Sequence, residues 1–355
     1  MVASPRPDPR PGPVRKVLLV EPWFAGSHRA WAEGLQRHSR HQISLLTSEP
    51  MGWKATFERS AEALAARAGR APDLLLASSM MDLTAFIGRA RSGPIPTLLY
   101  LHENQLTYDR SKPDLVRGEV NWRSAQAADR VVFNSHFHLE DFFGALPLLG
   151  IKGAAIGAVR RKSAVLPVGL ELAGLDPDRR DQAPPIVLWN HRWENDKDPD
   201  GFVDAVLEIA HLPFRLSLTG DGTGLARLLP TLTARFGDRI IHAGFAAEEQ
   251  YRALLTQADV VVSTAHQEFF GVSIAEAMAA GAVPLVPNRL AYPELLGPTL
   301  AACLYEPGTL AQRLGSLVTE HEERETYRTL ARASGRRFAW TEIAAGYDRL
   351  IDSMV

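Results

Sequence analysis

The sequence predicts an α/β protein built as two doubly wound parallel-sheet domains that face each other across a cleft, and three observations carry this. The chain has 355 residues, too many for one ordinary core and enough for two domains of roughly 150–180 residues each. Short apolar runs alternate with helical stretches in two separate series, the pattern of parallel strands covered on both faces. Between the two series, residues 176–185 turn polar and proline-bearing, as a linker does.

In chain order, residues 1–13 are rich in proline and arginine and lack an apolar core, so they read as a disordered tail and not as a signal peptide. The first domain takes 14–175, with strands expected at 17–21, 43–47, 74–77, 97–102 and 130–134. The segment 151–183 adds Arg160-Arg161-Lys162 and one apolar run at 164–168. The second domain takes 176–338, with strands at 186–190, 215–219, 239–243, 259–263 and 283–286. A final helix over 339–355 carries Trp340 and Tyr347 as anchors that can pack back on the first domain.

Hydrophobic residues make up 46% and charged residues 23%, the balance of a soluble globular chain. The longest apolar runs are strand-length, far below the ~20 residues that span a bilayer, so no membrane segment is expected. A single cysteine, Cys303, excludes an internal disulfide and a cysteine-based zinc site and suits the cytoplasm. Net charge is only −2, yet residues 1–170 hold 22 Lys and Arg against 15 Asp and Glu, and the remainder 17 against 26. The first domain could therefore face a polyanion; a simple tail effect from Arg6, Arg10, Arg15 and Lys16 accounts for part of the same excess.

Ligands of an open parallel sheet bind at the carboxyl ends of its strands, and here those ends are polar. The first strand runs into Gly26-Ser27-His28, where Ser27 can cap a helix whose free N–H groups suit a phosphate or a sugar hydroxyl; an ordinary turn fits equally well. The fourth ends in His102-Glu103-Asn104-Gln105, and the fifth in Asn134-Ser135-His136, with Ser135 read first as an N-cap. In the second domain Asn190 to Pro199 places Arg192 and Lys197 before a helix, cations suited to a diphosphate. Trp189 and Trp193 count against a merely solvated loop. The turn around Gly220 is weak evidence alone.

The strongest segment is His266-Gln267-Glu268-Phe269-Phe270-Gly271-Val272-Ser273 followed by Glu276. A loop closes at Gly271 and a helix begins near Val272, offering free N–H groups and the positive end of its dipole to an anion. Glu268 and Glu276 would repel phosphate but accept sugar or ribose hydroxyls. That is the division of labour a nucleotide sugar requires.

These residues resemble the retaining glycosyltransferases of two-Rossmann (GT-B) architecture: Glu268 and Glu276 match their E-x7-E motif, and Arg192 with Lys197 their diphosphate pair. More narrowly, Gly26-Ser27-His28, His102 to Gln105, Phe133-Asn134-Ser135, Asn190-His191-Arg192-Trp193-Glu194 and His266 to Gly271 look like the tRNA-queuosine α-mannosyltransferases, departing from them at Asn195 and Gln267. The resemblance implies a GDP-mannose donor and, as acceptor, the cyclopentene-diol of queuosine in tRNA, with tRNA-Asp the expected species. Transfer would occur with retention, without a cofactor or metal.

By the same resemblance, His102, Arg192, Lys197 and Glu268 would be catalytic. Glu276 would bind ribose and Glu268 the sugar, and Phe270 and Gly271 would offer backbone N–H groups. Gly26, Ser27 and His28 would close over the diphosphate, with Asn190, Gly220, His266, Phe269, Val272 and Ser273 completing the donor site. Glu103, Asn104, Gln105, Asn134, Ser135, Arg110 and Lys112 would face the acceptor. Further basic clusters, Arg117 with Arg123 and Arg160-Arg161-Lys162, are candidate tRNA phosphate contacts. Two other readings stay open: a GT-B enzyme acting on lipid or polysaccharide, and a non-catalytic sugar-nucleotide binder.

Overall fold

In the computed structural model, which describes residues 12–49, 51–69, 72–90, 93–177 and 184–355, the apolar runs assemble into two six-stranded sheets, every pairing parallel. The tail expected over 1–13 lies outside the described residues as far as residue 11, and so does the linker stretch 178–183.

The first domain runs β1 Lys16–Glu21, α1 Gly26–His38, β2 Gln42–Thr47, α2 Trp53–Arg67, β3 Leu74–Ser78, α3 Leu83–Arg89, β4 Thr97–Leu101, α4 Leu115–Ala127, β5 Arg130–Phe133, α5 His136–Ala145, α6 Ala154–Arg161 and β6 Ser163–Val165. The second runs β7 Ile186–Asn190, α7 Pro199–Glu208, β8 Arg215–Thr219, α8 Thr223–Phe236, β9 Ile240–Gly244, α9 Glu248–Gln257, β10 Val260–Val262, α10 Val272–Ala280, β11 Val283–Pro287, α11 Tyr292–Leu296, β12 Leu304–Tyr305, α12 Leu310–Thr319 and α13 His321–Arg336, with α14 Trp340–Asp352 closing the chain. The sheet orders are β2-β1-β3-β4-β5-β6 and β12-β11-β10-β7-β8-β9. Strands β3, β4, β7 and β11 are buried along their whole length, as a sheet covered on both faces requires.

One buried cluster lies between the first sheet and α2 to α5. The other starts under α1, takes in Trp340, Tyr347 and Ile351 of α14, and continues into the second domain. Helix α14 therefore packs on the first domain although it follows the second. Its anchor Trp340 fills a slot that only glycine leaves open, since a Cβ at Gly34 would lie 1.9 Å from the indole nitrogen and one at Gly169 would lie 2.3 Å from the ring. Trp31 donates to the Tyr347 hydroxyl at 3.2 Å, and that hydroxyl donates to the Pro167 carbonyl at 2.9 Å.

One local expectation fails. Ser27 does not cap α1, because the helix already begins at Gly26 with Ala25 in the cap position and no side-chain cap. Ser27 is exposed in the first turn instead.

Candidate active site

Both sheets reverse their winding at one place, between β1 and β3 in the first and between β7 and β10 in the second. A crevice opens at the carboxyl ends of strands at such a point. The Asn190–Lys197 loop leaves β7 and the Ser263–Gly271 loop leaves β10, so the two second-domain motifs meet at its switch point. In the first domain the segments after β1 and β4 converge in the same way.

On the second domain the two loops are tied together by backbone bonds from His266 and Gln267 to the Asp196 carbonyl, at 2.8 and 3.2 Å. Lys197 Nζ donates to the Gln267 carbonyl at 2.8 Å and to Glu268 Oε2 at 3.2 Å. Glu268 Oε1 accepts the N–H groups of Phe270 and Gly271 at 3.3 and 3.0 Å. These two backbone donors, expected to serve the ligand, are thus turned to the carboxylate. Burial would raise the Glu268 pKa, but the charge and hydrogen bond of Lys197, with the Phe270 N–H, outweigh it and hold the group below its usual range. Arg192, more than half exposed, donates to Asp196 at 2.9 Å and across the cleft to the Tyr108 hydroxyl at 3.1 Å.

Helix α10 begins behind Gly271. Asn190 Nδ2 donates to the Ser273 carbonyl at 2.8 Å and to the Tyr251 hydroxyl at 3.3 Å, while Ser273 Oγ pairs with His191 Nδ1 at 3.3 Å. Burial, with Lys197 nearby, pushes the His191 pKa down to about 3, so this imidazole is neutral. Tyr251 donates to Glu276 Oε2 at 3.0 Å. Burial nevertheless raises the Glu276 carboxyl to about 7, against the lowering effect of that hydrogen bond.

On the first domain a constellation forms that the motifs did not foretell. Glu21, the last residue of β1, is fully buried. Its Oε1 accepts the Trp23 N–H at 3.0 Å, and its Oε2 lies 3.2 Å from His28 Nδ1 and 3.5 Å from His102 Nε2. The two imidazole rings lie 4.0 Å apart, and the Trp31 ring meets His102 edge-on at 4.6 Å. Burial would raise Glu21, yet the His28 charge and the contacts with both histidines outweigh it and hold the carboxyl down to about 2. Burial works against protonating His28, but the Glu21 charge wins and its pKa is raised. At His102 burial and the His28 charge win, and the pKa falls to about 4. His28 thereby holds a proton more readily than a free imidazole does, beside a neutral His102. The ligand atoms of Glu21, His28 and His102 all lie within 4.8 Å of one another, so these three are also the group among the described residues that could hold a metal ion.

The domains touch at the ends of the loops. Ser135 caps α5, accepting the His138 N–H at 3.0 Å, and also donates to the Phe269 carbonyl at 2.6 Å. Glu294 accepts the N–H groups of His136 and Phe137, each at 2.9 Å. The Phe269 ring lies against His138 at 4.3 Å and the Phe270 ring against Phe338 at 5.1 Å.

Several candidates lie outside this convergence. Asn104 is fully buried, and its Oδ1 accepts the N–H groups of Leu106 and Thr107, each at 3.1 Å, while the Gln105 amide donates to Glu103 at 2.8 Å. Both side chains are spent on the turn rather than offered to an acceptor; Glu103 stays partly exposed beside them. Asn134 holds the His102 carbonyl at 2.8 Å and His138 at 2.9 Å, a supporting position. Arg110 pairs with Asp141, and Lys112 is exposed with no ion pair among the described residues. Gly220 is required by packing, since a Cβ there would stand 2.1 Å from the His191 carbonyl oxygen. His266 is exposed at the rim, 3.6 Å from Asp198, and Gly26 is exposed at the start of α1.

Glu21, Tyr108, Asp196 and Tyr251 are site residues to which motif reading gave no part, and His191 stood in a motif without a role of its own. For Glu21 the available signal was an acid directly after the apolar run VLLV of the strand KVLLVE. A carboxylate is rarely buried without partners.

Comparison with known proteins bears on family and fold. Residues 16–170 match the family described as tRNA-queuosine alpha-mannosyltransferase N-terminal, and residues 176–334 match glycosyl transferases group 1. The tRNA-queuosine alpha-mannosyltransferase of Drosophila melanogaster is 30% identical over 306 residues, covering 79% of this chain and 81% of that protein. The 2-deoxystreptamine glucosyltransferase of Streptomyces kanamyceticus is 24% identical over 60% of this chain and 56% of that one. Among solved structures, sucrose-phosphate synthase from Thermosynechococcus elongatus superposes with a TM-score of 0.73 at 18% identity, over 95% of this chain and 98% of that one. Anabaena HepE in complex with UDP-glucose gives 0.68 at 19%, over 96% and 100%. These two show that the fold is GT-B.

Proposed function

Because the chain belongs to the tRNA-queuosine alpha-mannosyltransferase family, we propose that it transfers mannose from GDP-mannose, with retention, to the cyclopentene-diol of queuosine in tRNA. The observation that carries the reading is the meeting, at the second domain's switch point, of Lys197 and Glu268 with the start of α10, the helix that carries Glu276, with His28 and His102 together on the first-domain wall.

In this reading Lys197, Arg192 and the free N–H groups at the start of α10 receive the diphosphate. Charge develops on the leaving oxygens as the C1–O bond breaks, and fixed donors stabilise the transition state most strongly there. His28, whose protonated form Glu21 favours, adds to this field from the opposite wall. The acceptor hydroxyl attacks C1 on the face the diphosphate leaves, forms the new C1–O bond and passes its proton to a leaving phosphate oxygen. Glu268 Oε2 accepts from the hexose hydroxyls. Neutral His102 orients the sugar beside the reacting bond, and Glu276 accepts from the ribose. With the diphosphate charge met by side chains and a helix terminus, the transfer runs without a metal, and the direct His28–Glu21 contact supports reading that cluster as an ion pair. The acceptor species is tRNA-Asp and the site of action the cytoplasm; no helix among the described residues is long and apolar enough to cross a membrane.

The test is incubation with queuosine-containing tRNA and GDP-mannose, or UDP-glucose in parallel, followed by mass spectrometry of the nucleosides. A hexose appears on queuosine with GDP-mannose, and EDTA leaves the yield unchanged. No hexose from any common nucleotide sugar sinks the reading, and loss of activity with EDTA overturns its metal-free part.

A further inference from the structure

The exposed large apolar side chains are not scattered evenly. Met51, Trp53, Leu115 and Val116, exposed by 55, 40, 48 and 77%, sit at the starts of α2 and α4. These two helix starts touch: the Arg117 guanidinium lies 5.2 Å from the centre of the Trp53 ring, and Lys54 Nζ lies 5.4 Å from it. Arg117 is fixed there by Asp114 and Glu58. Helix starts in a parallel sheet stand at the carboxyl edge of the strands, the edge that carries the site. The start of α4 is also joined to the segment after β4, through the Asp114 N–H to the Gln105 carbonyl at 3.2 Å. The patch thus adjoins the His102 wall of the cleft.

We propose that this patch, Met51, Trp53, Lys54, Leu115, Val116 and Arg117, is the docking surface for the single-stranded nucleotides around the target base, an inference that rests on the tRNA reading above. The exposed indole offers a base a stacking surface, and Lys54, with no ion pair among the described residues, offers a phosphate its counter-charge, while Arg117, held by Asp114 and Glu58, braces the ring. An aromatic face beside a cation is the combination by which unpaired RNA is held without sequence readout. The same residue types could meet a lipid surface, but a helix lying on a membrane needs an apolar stripe along its length. The apolar stripe of α2, including Phe57, Ala61, Leu64 and Ala65, is buried, so the helix presents a large apolar side chain outward only in its first turn, at Trp53.

The experiment measures, on the full-length protein at fixed salt, affinity for queuosine-containing tRNA, GDP-mannose binding and binding to phosphatidylglycerol vesicles. Trp53→Ala and Val116→Asp are each expected to weaken tRNA binding roughly tenfold, with donor affinity and Tm unchanged, and Trp53→Phe to keep most of it. Unchanged tRNA affinity in Trp53→Ala and Val116→Asp, with a wild type that glycosylates tRNA, overturns the docking surface alone. Vesicle binding that is lost in these variants while tRNA binding persists overturns it in favour of a membrane. A wild type that neither binds nor glycosylates tRNA overturns this inference together with the reading it rests on.

Discussion

The two walls of the cleft manage charge in opposite ways. On the second domain the carboxylate Glu268 sits among donors, with Lys197 on one oxygen and two backbone N–H groups on the other, so the wall is a cationic site with an acid set into it. On the first domain the order is inverted: the acid Glu21 is wholly buried and two imidazoles stand in front of it. A lysine beside helix N–H groups carries its positive charge at any physiological pH. An imidazole does so only while a partner supports it. The second wall therefore supplies permanent charge and the first a conditional one.

Removing the permanent charge should cost most. Lys197→Ala takes away the proposed diphosphate contact and strips Glu268 of the partner that holds its pKa down. We expect kcat to fall by about 10²–10³, the scale for one preorganised transition-state donor, in single-turnover assays with tRNA. A loss of less than about threefold would mean that the two walls do not divide the work in this way, because one such donor is normally worth far more.

The conditional wall is tested by Glu21→Gln, which keeps the shape and removes the charge. We expect kcat to drop roughly 10- to 100-fold, as for loss of one charge-assisted hydrogen bond, with donor KM little changed. Glu21 supports the His28 cation, so the alkaline fall of the wild-type pH–rate profile should move to lower pH in the variant, a shift that a merely structural role would not produce. Stability carries a second signature. A carboxyl held at about 2 in the fold against 4.5 contributes stability that is complete above its unfolded pKa and lost as pH falls toward the folded value. The acid-side slope between those values should flatten in Glu21→Gln.

Legibility differed between the walls for the same physical reason. His266 to Glu276 is one loop and one helix start, so its parts are neighbours in sequence and the proposed anion site could be drawn from them, although Phe270 and Gly271 turn their N–H groups to Glu268. Glu21, His28 and His102 come from the end of β1, the first turn of α1 and the end of β4, and only the order β1-β3-β4 brings them together. Polar side chains after β4 misled for another reason: Asn104 spends its oxygen on the N–H groups of its own turn, as asparagine commonly does. The buried strands were plain in the alternation of runs, even β10 with three residues, whereas the edge strands β6 and β12 are only partly buried. The apolar run at 164–168 marked part of β6 without identifying a strand.

Glu276 sharpens the comparison from the donor side. Its carboxyl stands at about 7 in the fold against 4.5, so its contribution to stability is present below the unfolded pKa and lost as pH rises through the folded one. Glu276→Gln should remove that slope and leave the protein more stable than wild type at pH 8 by thermal melting. Donor affinity should move the other way. It should rise in the wild type as pH passes through about 7, because the ionised group is the better acceptor, and be roughly tenfold weaker and pH-independent in the variant. Calorimetric titrations with GDP-mannose across that range decide it.

The smallest effect belongs to the seam between the walls. Glu294 of the second domain takes the N–H groups of His136 and Phe137, and Ser135 takes that of His138, so the start of α5 is capped jointly from both domains. An anion there satisfies two otherwise orphaned donors and meets the positive end of the helix dipole. Glu294→Ala should cost about 1 kcal/mol, or a fall of roughly 2–4 °C in Tm for domains of this size. Ser135 still caps α5, and neither Lys197 nor Glu21 changes partners, so turnover should change less than about threefold, well below the cost of one catalytic donor. A turnover loss as deep as that of Glu21→Gln would show that the seam helps position the first wall, and that the two walls are not separable parts.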